Sequence, residues 1–337
     1  MQSQEDLRVT GKIDLHDDGL SFRHEEMQGG ICTLFEGDYH LGLAAFVNSL
    51  TRAGYSGTIW AGYRGALPPW VNQLERAASR DGDEFRVTDR IALVFLKLDT
   101  PVHLTNYKPE FMLRLLENEA RACKYLWYFD PDIFVLANWT YFQKWQLWGV
   151  ALCQEIVDNI LPADAPLRQE WMRLGAGAGF ANPRPVAHYY NGGLVGVPAE
   201  HAGFLRVWKR IIEMAVSHGY DPRYLAQGSR DMPFTMLDQD ALNVAVMYTN
   251  APLSTMGPQG MGFIYGASTV MYHAVGQKPW RGSLLLRALR GMPPSGATKF
   301  FFTQVSAPIR AYPPMRLSVK RLACSIAALI GRFYRRY

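Results

Sequence analysis

Residues 125–136 read YLWYFDPDIFVL, and they decide the fold. Tyr125 to Phe129 is an uninterrupted apolar run of strand length, as expected of a strand buried on both faces. Asp130-Pro131-Asp132 stops it. Carboxylates at i and i+2 point to the same side of an extended chain, where they repel each other unless a cation lies between them. A hard divalent ion shared with a phosphate-bearing ligand meets that geometry; a loop that merely carries two acids is the plainer alternative.

The same grammar extends outward from this stretch. Ile31–Phe35, Thr58–Tyr63 and Ile91–Leu98 are further apolar runs of strand length. Between them, Leu43, Phe46, Val47 and Leu50 share one helical face, which Gly54 closes. Pro109 opens a helix in which Met112, Leu115 and Leu116 do the same. Leu67-Pro68-Pro69 predicts one more helix start, and the Pro-, Ala- and Gly-rich stretch 156–188 predicts a long loop. Downstream, Tyr189–Val197 reads as a strand, and the runs around Phe204–Ile211 and Leu237–Val246 read as helices. Alternating strands and helices predict an α/β protein with an open, mostly parallel sheet flanked by helices. Ligands of such sheets bind beyond the carboxyl ends of strands, where Asp38 and the Asp130/Asp132 pair both fall.

A third ligand for a cation is His273, in MYHAVGQKPWRG, residues 271–282. Gly276 permits close backbone approach, and Lys278 supplies a point charge suited to phosphate. Two carboxylates and one imidazole describe a mixed oxygen and nitrogen site that suits Mn²⁺ better than Mg²⁺.

Five stretches, in order, resemble the nucleotide-sugar transferases of the GT-A fold, and most nearly glycosyltransferase family 8, the glycogenin and bacterial galactosyltransferase group. They are Thr33-Leu34-Phe35-Glu36-Gly37-Asp38-Tyr39; Lys108 ahead of Phe111-Met112-Leu113-Arg114; Asp130-Pro131-Asp132; Tyr190-Asn191-Gly192-Gly193; and the pair Asp238-Gln239-Asp240-Ala241-Leu242-Asn243 with His273-x-x-Gly276-x-Lys278-Pro279-Trp280. The match spans about residues 31–282. It departs from the family in the proline of the D-x-D, and 152–188 has no counterpart. The resemblance implies a UDP-sugar donor whose diphosphate lies on Mn²⁺, with Mg²⁺ as the alternative, held by Asp130, Asp132 and His273. Lys278 and Lys108 would add positive charge. Thr33, Asp38 and Tyr39 would lie near the uridine, and Asn191, Gly192, Gly193, Gln239, Asp240 and Gly276 along the donor sugar and diphosphate. Asp238, Gln239, Asp240 and Lys278 are the catalytic candidates. The family retains anomeric configuration. An inverting transferase with Asp240 as base, or a non-catalytic sugar- or membrane-binding protein on the same fold, remain as alternatives.

Charge divides the chain. Residues 241–337 hold twelve basic residues and no acidic one, against 23 basic and 30 acidic before them. Such a segment seeks anions. In the tail, RLSVKRLACSIAALIGRFYRRY from Arg316, Leu322, Ile326, Leu329, Ile330 and Phe333 cluster on one side of a helix, and Lys320, Arg321, Arg332, Arg335 and Arg336 crowd its ends. This pattern predicts an interfacial amphipathic helix on an anionic membrane face, and an acceptor that is a glycan, a glycolipid or a lipid-linked glycan. A terminal helix packed on the domain is the other reading.

No apolar run reaches the roughly 20 residues of a spanning helix. The polar start, MQSQEDLRVTGK, and four scattered cysteines predict a cytoplasmic protein without a secretory signal or disulfides, peripheral on the inner membrane face. The expected organisation is a polar lead-in over 1–29, a GT-A domain over 30–283 and a basic extension over 284–337, with the amphipathic helix at about 316–337. Gly175–Gly179 lacks the preceding buried strand of a dinucleotide loop, and there is no Walker or H-E-x-x-H motif. Phe300–Phe302 form no RNA-binding motif, so nucleic acid is not an expected partner and core packing is their expected use.

Overall fold

A computed structural model describes residues 29–77, 83–156, 160–226, 232–264 and 267–334. The lead-in over 1–28 and Arg335 and Arg336 lie outside the described residues. The chain runs β1 (Gly29–Glu36), α1 (His40–Arg52), β2 (Gly57–Arg64), β3 (Glu75–Arg76), β4 (Asp83–Thr88), β5 (Ile91–Lys97), α2 (Lys108–Glu117), β6 (Tyr125–Phe129), β7 (Ile133–Val135), α3 (Trp139–Trp145) and β8 (Val150–Gln154). It continues through α4 (Pro166–Gly177), β9 (Tyr190–Pro198), α5 (Gly203–Ser217), α6 (Leu237–Tyr248), β10 (Leu253–Met256), β11 (Met271–His273), α7 (Leu284–Leu289), α8 (Gly296–Gln304) and α9 (Pro314–Phe333).

Nine strands form one sheet in the order β10-β8-β9-β6-β1-β2-β5-β4-β3. All run one way except β9 and β4, so the sheet is mostly parallel, as the alternation of elements predicts. Layers of helix cover both faces. Phe46 of α1 and Trp139 and Phe142 of α3 pack on one face, and Phe111 of α2, Trp208 of α5 and Leu242 of α6 on the other. The run 125–129 is buried at every position, as its unbroken apolar character requires.

Register sets the site. β6 pairs with β1 so that Tyr128 lies beside Cys32, which brings Asp130 out at the carboxyl edge where β1 also ends. β7 then turns away and pairs antiparallel with β11, matching Ile133 to His273. A residue 141 positions downstream is thereby set against the acidic turn.

Two local expectations are changed by the structure. Leu67-Pro68-Pro69 does open a helix, but only a short 3-10 helix, Pro69–Gln73, after which the chain continues into β3 and β4. Trp70 is buried there, its indole N–H donating to the His40 carbonyl at 3.1 Å, and Phe85 and Val87 alternate inward along β4. The stretch 156–188 contains α4, whose Leu167, Trp171 and Leu174 pack at helical spacing. Its small residues conceal that period. Gly175 and Gly177 belong to this helix rather than to a loop.

After residue 283, Phe301 and Phe302 of α8 are buried against Phe134 and Trp280, as core packing predicts. α9 packs on this layer through Leu317, Cys324 and Ala327, with Ile330 beside them. Its opposite side exposes Met315, Val319, Leu322, Ile326, Leu329 and Phe333. The helix is therefore docked and amphipathic at once, with Ile330 on the docked side instead of the outer stripe. Among the described residues no helix is long and apolar enough to cross a membrane.

Candidate active site

The carboxyl edge of the sheet opens into a cavity of about 470 Å³ lined by residues of five segments: 34–39, 103–108, 128–132, 191–193 and 273–281, with Glu155, Leu225, Met236, Asp238 and Gln239. Oxygens of Asp130 and Asp132 and a nitrogen of His273 all lie within 4.8 Å of one another. His273 Nε2 is 3.8 Å from Asp130 and 3.5 Å from Asp132, too far for hydrogen bonds and suitable for ligands around one shared ion. The backbone fixes them: Asp130 N–H donates to the Gly193 carbonyl at 2.8 Å, and Ala274 N–H to the Asp132 carbonyl at 3.0 Å.

The sequence reads Gly276 as a point of close approach, and here the structure assigns that role elsewhere. A Cβ on Gly193 would lie 2.6 Å from His273 and 2.8 Å from both Asn191 Oδ1 and Asp130 Oδ2, so this glycine is the one that leaves the ligand cluster room. Gly276 has open space around it and is needed for its left-handed turn, at φ +74°. The donor set and this cradle fit a divalent ion.

Two lysines are bound to the acidic cluster. Lys278 Nζ donates to Asp132 Oδ2 and, at 2.9 Å, to the Ala274 carbonyl. Burial alone would raise the Asp132 carboxyl, but His273 and Lys278 hold it well below the usual range. Lys108 is 1% exposed, its Nζ 2.9 Å from both Asp238 and the Gly192 carbonyl and 3.3 Å from Asp130. Burial works to lower this lysine, yet Asp130 and Asp238 keep it above its ordinary value. It bridges two carboxylates under the cavity floor.

Of the remaining expected residues, Tyr39, Asn191, Gly192 and Gln239 line the cavity. Gln239 Oε1 accepts from Gly192 N–H at 2.9 Å. Asp38 lies at the edge, where Arg281 binds it through Nε at 2.7 Å and holds it below its usual value. Thr33 does not line the cavity: it is fully buried within β1, because only the last residues of that strand project past the sheet edge.

Asp240 does not line the cavity either. Asp238 and Asp240 are two residues apart on a helix, so they diverge by about 200° and cannot both face one side. Asp240 accepts from the Tyr189 hydroxyl at 2.6 Å and from Met236 N–H at 2.8 Å. This removes it from the position that a catalytic base, or a contact to the donor sugar, would need. Burial, with Asp238 adding to it, pushes Asp240 up to about 7 against the pull of Tyr189 and the Met236 amide. The unfolded chain releases that proton near 3.9, so the native state binds more protons between about pH 4 and 7 and loses stability as pH rises through that window. Asp240→Asn lacks this loss. Chemical denaturation at pH 5 and pH 8 is expected to show the variant gaining on the parent at the higher pH; an unchanged difference would count against the assignment.

Sequence reasoning missed Glu155. It sits at the end of β8, 8% exposed, and accepts from Asn191 Nδ2 at 2.5 Å and Ile156 N–H at 2.7 Å. No motif surrounds it; the one available signal was an acid two residues after the apolar run 150–153. Glu36, His103 and Arg281 also line the cavity without having been singled out.

No protein-family model matches the sequence. No curated protein sequence matches it. Similarity lies in structure. WbbM, a bifunctional glycosyltransferase, matches with a TM-score of 0.53 at 16% identity over 88% of this chain and 52% of its own, so the chain spans about half of that protein's length. The galactosyltransferase LgtC, solved with donor and acceptor sugar analogues, matches with a TM-score of 0.47 at 16% identity, over 86% of this chain and 99% of its own. The glycosyltransferase GlyE of Streptococcus pneumoniae matches with a TM-score of 0.45 at 15% identity, over 76% of this chain and 56% of its own. At these identities the likeness concerns architecture: the chain has the GT-A-type α/β fold, with its acidic turn at the carboxyl edge of a mostly parallel sheet.

Proposed function

We propose that the protein is a metal-dependent glycosyltransferase of the family 8 type, moving a hexosyl residue from a UDP-sugar to a glycan or glycolipid acceptor with retention. The observation that carries this is the convergence of Asp130, Asp132 and His273 in one cavity with Lys278 and Gln239. A divalent ion, Mn²⁺ before Mg²⁺, held by these three residues would neutralise charge on a diphosphate leaving group. Lys278, now on Asp132, is placed to add a second positive charge there. Tyr39 offers a ring beside Arg281 for the nucleoside, and Asn191 and Gln239 offer amides to the sugar. With Asp240 turned away, retention is favoured over an inverting reaction that uses it as base.

A panel of UDP-sugars with Mn²⁺ tests this, read by proton NMR of UDP release and of the first product anomer. Release of UDP with a retained anomer is the expected result. Inversion would sink the retaining mechanism, and no turnover of any nucleotide sugar would favour a non-catalytic binding protein.

We further propose that the enzyme sits on the inner, anionic face of a membrane through α9. Its outer stripe of six apolar side chains, flanked by Arg316, Lys320 and Arg332 with no acid after Asp240, supports this. Because Leu317, Cys324 and Ala327 are buried, the test substitutes the outer stripe and leaves the helix in place. Leu322→Glu with Phe333→Glu should keep the melting temperature and abolish sedimentation with anionic vesicles. Undiminished sedimentation would leave α9 a purely structural helix.

A further inference from the structure

A second groove, of about 830 Å³, is lined by α8 and the last turns of α9. Gly331 borders it. A Cβ there would lie 2.3 Å from the Pro293 Cβ, so a side chain at this position would push the end of α9 off the α7–α8 connection. Ser325 and Arg332 are seven residues apart, about two helical turns, and so share the face of α9 that borders the groove. Lys299 reaches the same groove from α8.

Charge and polarity select its ligand. Lys299 and Arg332 are exposed, no carboxylate lines the groove, and none pairs with either cation among the described residues. Nearby cations are committed instead: Arg321 donates to the Phe302 carbonyl and Arg287 to Gln277 Oε1. Two cations with the Ser325 hydroxyl suit a phosphate ester, whose several oxygens can accept from all three at once. One wall is apolar. Leu329 and Phe333 line the groove and also end the outer stripe of α9. An anion with an apolar tail therefore meets cations at its head and the stripe along its chain. A soluble polyanion or a nucleic-acid backbone would use the cations and leave the stripe bare.

We infer that this groove binds the phosphomonoester headgroup of an anionic lipid, with Lys299 and Arg332 on the phosphate and the outer stripe of α9 against the acyl chains. The inference rests on the membrane reading of α9 above and names the lipid that the helix selects. A phosphomonoester carries about two negative charges near neutral pH, against about one on a phosphodiester headgroup, and so matches the two cations. General attraction of a basic helix follows the surface charge of the membrane and does not tell headgroups apart at equal charge. A built site does.

The test sediments the full chain with phosphatidylcholine vesicles that contain either phosphatidate or phosphatidylglycerol, adjusted to the same zeta potential. The parent protein should bind the phosphatidate vesicles about tenfold more tightly, the worth of one charge-assisted hydrogen bond. Lys299→Gln with Arg332→Gln should bring the two affinities together. Arg316→Gln with Lys320→Gln removes the same charge from the other end of α9, and should weaken binding to both vesicles alike while keeping their ratio. Equal affinities in the parent, or a ratio lost to the same extent in both double variants, overturns the site and leaves the membrane reading standing. Displacement by glycerol 3-phosphate, a head without chains, at an affinity equal to that for the vesicles would make this a soluble-phosphate site and overturn the lipid assignment. Absence of sedimentation with either vesicle would instead overturn the membrane reading of α9 itself, and the lipid site with it.

Discussion

Asp132→Ala should lose metal-dependent UDP binding, and its turnover should fall about a thousandfold, the equivalent of several kcal/mol of charge stabilisation at the leaving group. Asp132 is 2% exposed and stands between His273 and Lys278, so its loss removes one of the three ligand atoms at the centre of the cluster. His273→Ala should act in the same direction. Calorimetric titration of UDP into each variant, with Mn²⁺ and with chelator, reads the binding directly. Asp132→Asn keeps the side-chain shape and separates loss of charge from loss of fold. UDP binding of equal strength with and without the ion, in parent and variant alike, would refute the metal site.

Lys108→Met should be the most destabilising single change in this region. The lysine lies beneath the cavity, over the Tyr128 ring, and neutralises Asp130 and Asp238. Removing one partner of a buried ion pair leaves an uncompensated charge and costs about 3–5 kcal/mol. The denaturation midpoint should fall accordingly, and metal affinity with it, because Asp130 would then repel Asp238. Adding Asp238→Asn to Lys108→Met removes one of the stranded carboxylates and should restore part of the stability. A double variant no more stable than the single one would show that the pair is not what holds this region.

Periodicity made the sheet legible. Strand residues 91–96 and 125–129 are apolar without interruption, and the helices between them keep one apolar face. Short elements were not legible, because β7 and β11 have three residues each and owe their pairing to the chain around them. α4 was obscured by its alanines and glycines. At the site, Asp130, Asp132, His273 and Lys278 could be read because their chemistry survives in local spacing. Glu155 could not, since it reaches the cavity through the register of β8 against β9, a long-range pairing without a local signal. Asp240 shows the opposite error. Its motif places it beside Asp238 in sequence, but the turn of the helix divides them between cavity and core.

The two sides of α9 answer to different demands. Leu317, Cys324 and Ala327 are constrained by the layer beneath, so change there is limited by shape. Met315, Val319, Leu322, Ile326, Leu329 and Phe333 are exposed, and substitution along this stripe is expected to cost folding little. The outer stripe can therefore change in size, or become wholly polar, by substitutions that leave the sheet and its cavity untouched. Natural variants of this chain should record that freedom as one variable and one fixed face of the same helix.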